Sequence, residues 1–167
     1  MFIREWVMRA IGIVCVLLVS ALFVLAGCDA RDRDRTIGVT EDDAVMNAAI
    51  AEARATLDEF VARMENPEPG DSDFAIKVAV TDPNGTEHFW ANNVEVVGPG
   101  FTATINNDPN IVRSVRLGQR VRAKRDEVSD WMYLSNGRMV GNRTLRVLLT
   151  KMSPEEAAAV KQQVGWE

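Results

Sequence analysis

The chain has 167 residues, one histidine, two cysteines and more acids than bases, for a formal charge of −5. An acidic chain of this kind is no nucleic-acid binder, because that binding rests on a basic surface that neutralises phosphates. A single histidine, His88, excludes multi-histidine metal sites, so no metal and no cofactor are expected.

Arg4 and Arg9 form a basic start, Ala10 to Phe23 an uncharged apolar run, and Leu25-Ala26-Gly27-Cys28 closes it. This is the order of an export signal, and the last four residues resemble the lipobox of bacterial lipoproteins. There, a signal peptidase cuts before the cysteine, and the cysteine carries the lipid. Residues 1–27 are therefore read as a signal peptide, with lipidation at Cys28. An uncleaved transmembrane anchor is the competing reading, since the run is about long enough to cross a bilayer. Either one places the folded part outside the cytoplasmic membrane.

Asp29 follows Cys28, and in lipoproteins of enterobacterial type an aspartate there resembles the signal that retains a protein at the inner membrane. Its alternative is to begin the polar stretch Asp29-Ala30-Arg31-Asp32-Arg33-Asp34-Arg35. Residues 28–40 read as a charged tether, able to stretch to about 40 Å at roughly 3.3 Å per residue. Loss of Arg4, Glu5 and Arg9 with the signal takes the charge from −5 to −6. The remaining residues, 41–167, suffice for one domain with one core. With Cys15 removed and Cys28 lipidated, that domain holds no thiol for a disulfide or a nucleophile.

Thr40-Glu41-Asp42-Asp43 reads as a helix start, with Thr40 as the cap. Apolar Met46, Ala49, Ile50, Ala53, Leu57, Phe60, Val61 and Met64 then predict one long amphipathic helix, stopped at Asn66-Pro67. From Phe74 the period becomes two, which predicts a half-buried strand. Asp82-Pro83-Asn84-Gly85 predicts a hairpin turn into a strand from Thr86 to about Ala91. Further strands are expected at Val94–Val97, Phe101–Ile105, Leu117–Ala123, Trp131–Leu134 and, after Asn136-Gly137, Thr144–Leu149. Ser153-Pro154-Glu155-Glu156 is a capping box that opens a short C-terminal helix. The fold class is α+β, with the long helix packed on a strongly bent antiparallel sheet or partly closed small barrel.

Five motifs in one order carry a resemblance. They are Glu87-His88-Phe89-Trp90, Thr104-Ile105-Asn106-Asn107, Gly118-Gln119-Arg120-Val121, Ser129-Asp130-Trp131-Met132-Tyr133, and Gly141-Asn142 with Thr144-Leu145-Arg146. Together they resemble the bacterial domain of unknown function 2314, the YegJ-like family, over about residues 43–149. The resemblance implies a folding unit and no particular reaction.

Glu87 and His88 are neighbours on a strand and point to opposite faces, so they form no acid/base pair with each other. His88, Asp130 and Tyr133 are the acid/base candidates for an envelope-acting enzyme, provided that they converge in one cleft. Glu87, His88, Trp90, Asp130, Trp131, Tyr133 and Asn142 are the candidate binding surface, set against the simpler reading of the aromatics as core anchors. Arg113, Arg116, Arg120, Arg122, Lys124 and Arg125 form a basic cluster suited to an anionic headgroup or an acidic partner. Its simpler reading is a solvated strand face offset by Asp126, Glu127 and Asp130. The expected function is a non-catalytic binding module, held to the membrane by its lipid and engaging a protein or envelope component from the periplasmic side of the inner membrane. The alternatives are an immunity-like inhibitor of a toxin and an envelope enzyme using His88 and Asp130.

Overall fold

The computed structural model describes residues 43–166, so the expected signal segment, Cys28, Asp29 and the tether lie outside the described residues. Helix α1 (Ala44–Ala55) starts at Asp43, whose carboxylate accepts the N–H groups of Val45 and Met46. Thr56 separates α1 from α2 (Leu57–Glu65). Where the apolar stripe predicts one helix capped at Thr40, the described residues form two. The Thr56 hydroxyl turns back onto the carbonyls of Glu52 and Ala53, an arrangement that bends helices.

Strands β1 (Asp71–Asp82), β2 (Gly85–Val97), β3 (Gly100–Ile105), β4 (Arg120–Lys124), β5 (Val128–Ser135) and β6 (Arg138–Gly141) follow. They form one antiparallel sheet in the order β4-β3-β2-β1-β5-β6. The sheet is open, with β4 and β6 at its edges; of the two expected forms it is an antiparallel sheet and not a partly closed barrel. The Asp82-Pro83-Asn84-Gly85 hairpin is present, with Asp82 paired to Gly85. The expected strands 86–91 and 94–97 are one strand with a register shift between Asn92 and Glu95, and the strand expected from Leu117 begins at Arg120.

The largest departure is at Thr144–Leu149, expected as a strand and found inside helix α3 (Arg143–Leu149). Asn142 before it adopts the left-handed conformation, with φ 50°. The alternating Thr-Leu-Arg-Val pattern reads as a strand, but a tertiary cap described below fixes it as a helix. Helix α4 (Pro154–Gln163) starts with the expected capping box, Ser153 with Glu156. The chain after α4 returns to the β6 edge: the Met139 N–H donates to the Val164 carbonyl, and Trp166 Nε1 to the Met139 carbonyl.

The core lies between α1 and α2 and one sheet face: Ala53, Leu57 and Phe60 meet Ile76, Val78, Phe89, Ala91, Phe101, Ala103, Ile105, Val128 and Trp131. Phe60 and Phe89 are completely buried, and truncating such a ring costs about 3–5 kcal/mol. Strand alternation sends Lys77, His88, Trp90, Thr102 and Thr104 to the opposite face.

Candidate functional site

The candidate residues gather around a β-bulge. Lys77 pairs with Asp130 while the next residue, Val78, pairs with Val128, so Ser129 is the extra residue in β5. A bulge of this kind re-aims neighbouring side chains, and here it buries both Ser129 and Asp130 completely.

Each side chain at the bulge has a defined partner. Ser129 Oγ donates to the Lys77 carbonyl at 3.2 Å. It therefore accepts from His88 Nδ1–H at 2.8 Å, which leaves Nε2 as the basic nitrogen. Asp130 Oδ1 accepts the N–H groups of Trp131 at 2.9 Å and Arg143 at 3.2 Å. Oδ2 accepts the Thr144 N–H and the Thr144 hydroxyl, both at 2.7 Å. Lys77 Nζ donates to the same Thr144 hydroxyl at 3.3 Å and lies 5.4 Å from the centre of the Trp90 ring. Asp130 is thus the cap of α3, supplied from a strand; Asn142 offers no side-chain cap of its own.

The structure brings His88, Trp90 and Asp130 to one neighbourhood but separates the others. Trp131 is 4% exposed and faces the core, with its Nε1 donating to the Ala53 carbonyl at 3.0 Å. Its ring centre is 5.4 Å from that of Phe60, and the Arg143 guanidinium lies over it at 4.7 Å. Tyr133 stacks on Phe74, with centroids 5.1 Å apart, on that same core side, so it does not converge with His88 and Asp130 in one cleft. Asn142 is buried, and its amide meets the Met139 sulfur at 3.1 Å.

Glu87 is a loop clamp. Its carboxylate accepts the N–H groups of Asn110, Ile111 and Val112 at 2.8–3.2 Å. Burial works against its charge, but these donors outweigh it and hold the carboxyl below its ordinary range. Asp82 grips the next two residues of the same connection, accepting from the Arg113 N–H at 2.6 Å and the Ser114 N–H at 3.1 Å. These bonds lower its carboxyl as well. The Trp90 backbone completes the fastening: its N–H donates to Asn107 Oδ1 and its carbonyl accepts from the Asn106 N–H. Asp82, Ser129, Lys77 and Thr144 are not among the candidate site residues of the sequence, although Ser129 and Thr144 lie in the family motifs and Asp82 in the hairpin turn. Their partners lie as far as 67 residues away, and no local pattern announces them.

His88 is the titratable group left facing outward. Withdrawal from water, with the positive charges of Lys77 and Arg54 added, holds its imidazole below the ordinary histidine value. Among the described residues no three His, Cys, Asp or Glu side chains are grouped to hold a metal ion.

Comparison with known proteins gives a consistent picture. The model of a family described as an uncharacterized protein conserved in bacteria (DUF2314) matches residues 43–167, so the match runs beyond Leu149 and takes in α4. The chain is 34% identical over 149 residues to uncharacterized protein YegJ of Escherichia coli (strain K12), covering 89% of this chain and 96% of that one. It is 31% identical over 70 residues to the putative ankyrin repeat protein NMB1133/NMB1171 of Neisseria meningitidis serogroup B, covering 42% of this chain and 28% of that one. No solved structure matches.

Proposed function

This chain belongs to the DUF2314 family, and we propose that it is a membrane-tethered periplasmic binding module with no catalytic centre, anchored through lipid on Cys28. The observation that carries the reading is the use already made of Asp130. Both of its oxygens are taken up by four donors that start α3 and fix the following strand residue. A general acid or base needs an oxygen that faces its substrate. Glu87 is occupied in the same way by the loop at 110–112. What remains on the open sheet face is His88 and Trp90, a polar ring beside an indole, which suits recognition of a protein or envelope component.

The hydrogen bond between Ser129 and His88 is the one geometry that favours an enzyme, since it joins a hydroxyl to a base. Its hydroxyl is fully buried and already donates to the Lys77 carbonyl, so it meets no substrate. An immunity-like inhibitor is a special case of the binding reading, with a toxin as the partner. The 70 residues shared with a longer protein named for ankyrin repeats fit a unit that works as one module among others. Asp29 beside the anchor supports retention at the inner membrane.

The reading is tested in cells with a photo-crosslinking amino acid at Trp90. A discrete adduct from position 90, absent from a control at Glu155, is expected. In parallel, globomycin should make the precursor accumulate. The binding reading falls if no adduct forms. It also falls if an envelope hydrolase activity is found that His88→Asn removes.

A further inference from the structure

Away from the bulge, the far end of the sheet combines exposed apolar groups with two cations, Arg122 and Lys124, that have no ion pair among the described residues. The β2–β3 hairpin turns at Gly98 and Pro99, with Val97 paired to Gly100. Val96 is 39% and Val97 45% exposed at this tip, and Pro99 is exposed. Gly100 lets the tip lie against β4, because a Cβ there would stand 2.5 Å from the Ala123 carbonyl oxygen.

Along β4, alternation turns Arg120, Arg122 and Lys124 outward and Val121 and Ala123 inward. Lys124 stands opposite Gly100 and Arg122 opposite Thr102. An open cleft of about 670 Å³ beside the tip and β4 is lined by apolar Val97, Pro99, Phe101 and Ala123 and by the cations Arg122, Lys124 and Arg125. The acids nearby are largely engaged. Glu95 is paired with Arg120, Asp58 with Arg125, and Glu127 accepts the Lys124 N–H. Arg122 and Lys124 have no ion pair among the described residues, and Asp126 and Glu127 are the acids that line the cleft with them.

We propose that the β2–β3 tip and the outward row of β4 form a docking face for an anionic phospholipid bilayer. The biological setting of this inference rests on the anchored reading above. An apolar tip beside free cations matches the order of a bilayer surface, acyl boundary beneath anionic headgroups. Each Lys or Arg near such a surface strengthens binding about fivefold, so a few of them bind weakly from solution. On a tether the same contact becomes intramolecular, at an effective concentration on the order of millimolar. Residues 29–42, were they fully extended, would span about 45 Å, a length that leaves the domain free to turn toward the membrane.

The test uses the full chain extracted from membranes and reconstituted into vesicles. Val97→Cys carries an environment-sensitive fluorophore, Glu155→Cys serves as a second site, and the unsubstituted chain taken through labelling is the blank. In vesicles containing phosphatidylglycerol the Val97 probe should shift to the blue and the Glu155 probe should not. In phosphatidylcholine vesicles neither should shift. Arg122→Gln with Lys124→Gln removes two charges and should weaken docking about 25-fold. A Val97 probe that stays in water in both vesicles overturns the proposal. So does a shift indifferent to lipid charge, or one seen only with an acidic protein added. Mass spectrometry of the N-terminal peptide reports lipid on Cys28 separately. A docking shift without that lipid removes the anchor and keeps the face, and lipid without a shift does the reverse.

Discussion

Asp130 and Thr144 are joined twice, with one carboxylate oxygen accepting both the backbone N–H and the hydroxyl of Thr144 at 2.7 Å. The first turn of a helix leaves N–H groups without internal partners, and a negative charge there also meets the favourable end of the helix dipole. Most helices find that acceptor one residue upstream. Here it comes from β5, so α3 forms only where the sheet has already placed Asp130.

Asp130→Ala therefore takes a fully buried acceptor away from three N–H groups and a hydroxyl. The expected loss is about 2–4 kcal/mol, more than an exposed cap gives up. Asp130→Asn keeps an acceptor and should lose less. Urea denaturation of both variants measures this. An Asp130→Ala chain as stable as wild type would show that α3 does not depend on the strand for its cap.

The same relationship explains what the sequence could and could not show. The Asp82-Pro83-Asn84-Gly85 turn and the Ser153–Glu156 capping box are local: each satisfies its own backbone within four residues, so a reader of the chain finds it. Thr144–Leu149 alternates like a strand, and the cap that makes it a helix arrives from 14 residues upstream. Glu87 reads from the sequence as part of a binding surface, but its N–H donors lie 23 to 25 residues on. Ser129 became part of the site only through a bulge, which periodicity does not register. The motif residues were legible; their partners were set by the sheet.

His88 makes stability depend on pH in a window that the carboxylates leave alone. Its imidazole is held below the ordinary value of 6.5, so just below that value the unfolded chain binds more protons than the folded one. Stability then rises with pH, is complete above about 6.5, and is lost as pH falls toward the folded value. Melting temperatures between pH 7.5 and 5.5 should decline for wild type and decline less for His88→Asn. Equal slopes for the two chains would remove His88 from the account.

Metal and reductant should both be without effect on folding. No three ligating side chains are grouped among the described residues, and the two cysteines, Cys15 and Cys28, precede the domain. Melting curves recorded with EDTA and with dithiothreitol are expected to overlay the untreated curve. A drop of several degrees with EDTA would reveal a metal that supports the fold.

Trp131 and Gly141 should be energetically coupled. Trp131→Ala empties a buried site between Phe60, Tyr133 and Arg143, at a cost of about 3–5 kcal/mol. Gly141 has φ 82°, and a Cβ there would stand 2.6 Å from the Trp131 ring and collide with its carbonyl oxygen as well. Gly141→Ala is thus expected to cost at least about 2 kcal/mol, from the left-handed backbone and the collision together. With the ring gone, the ring collision is relieved while the backbone penalty and the carbonyl collision persist. The double variant should lose less than the two singles combined, by about 0.5–3 kcal/mol. Strict additivity would separate Gly141 from the ring. A Trp131→Ala chain that melts normally and loses its partner would place the recognition surface on the face assigned here to the core.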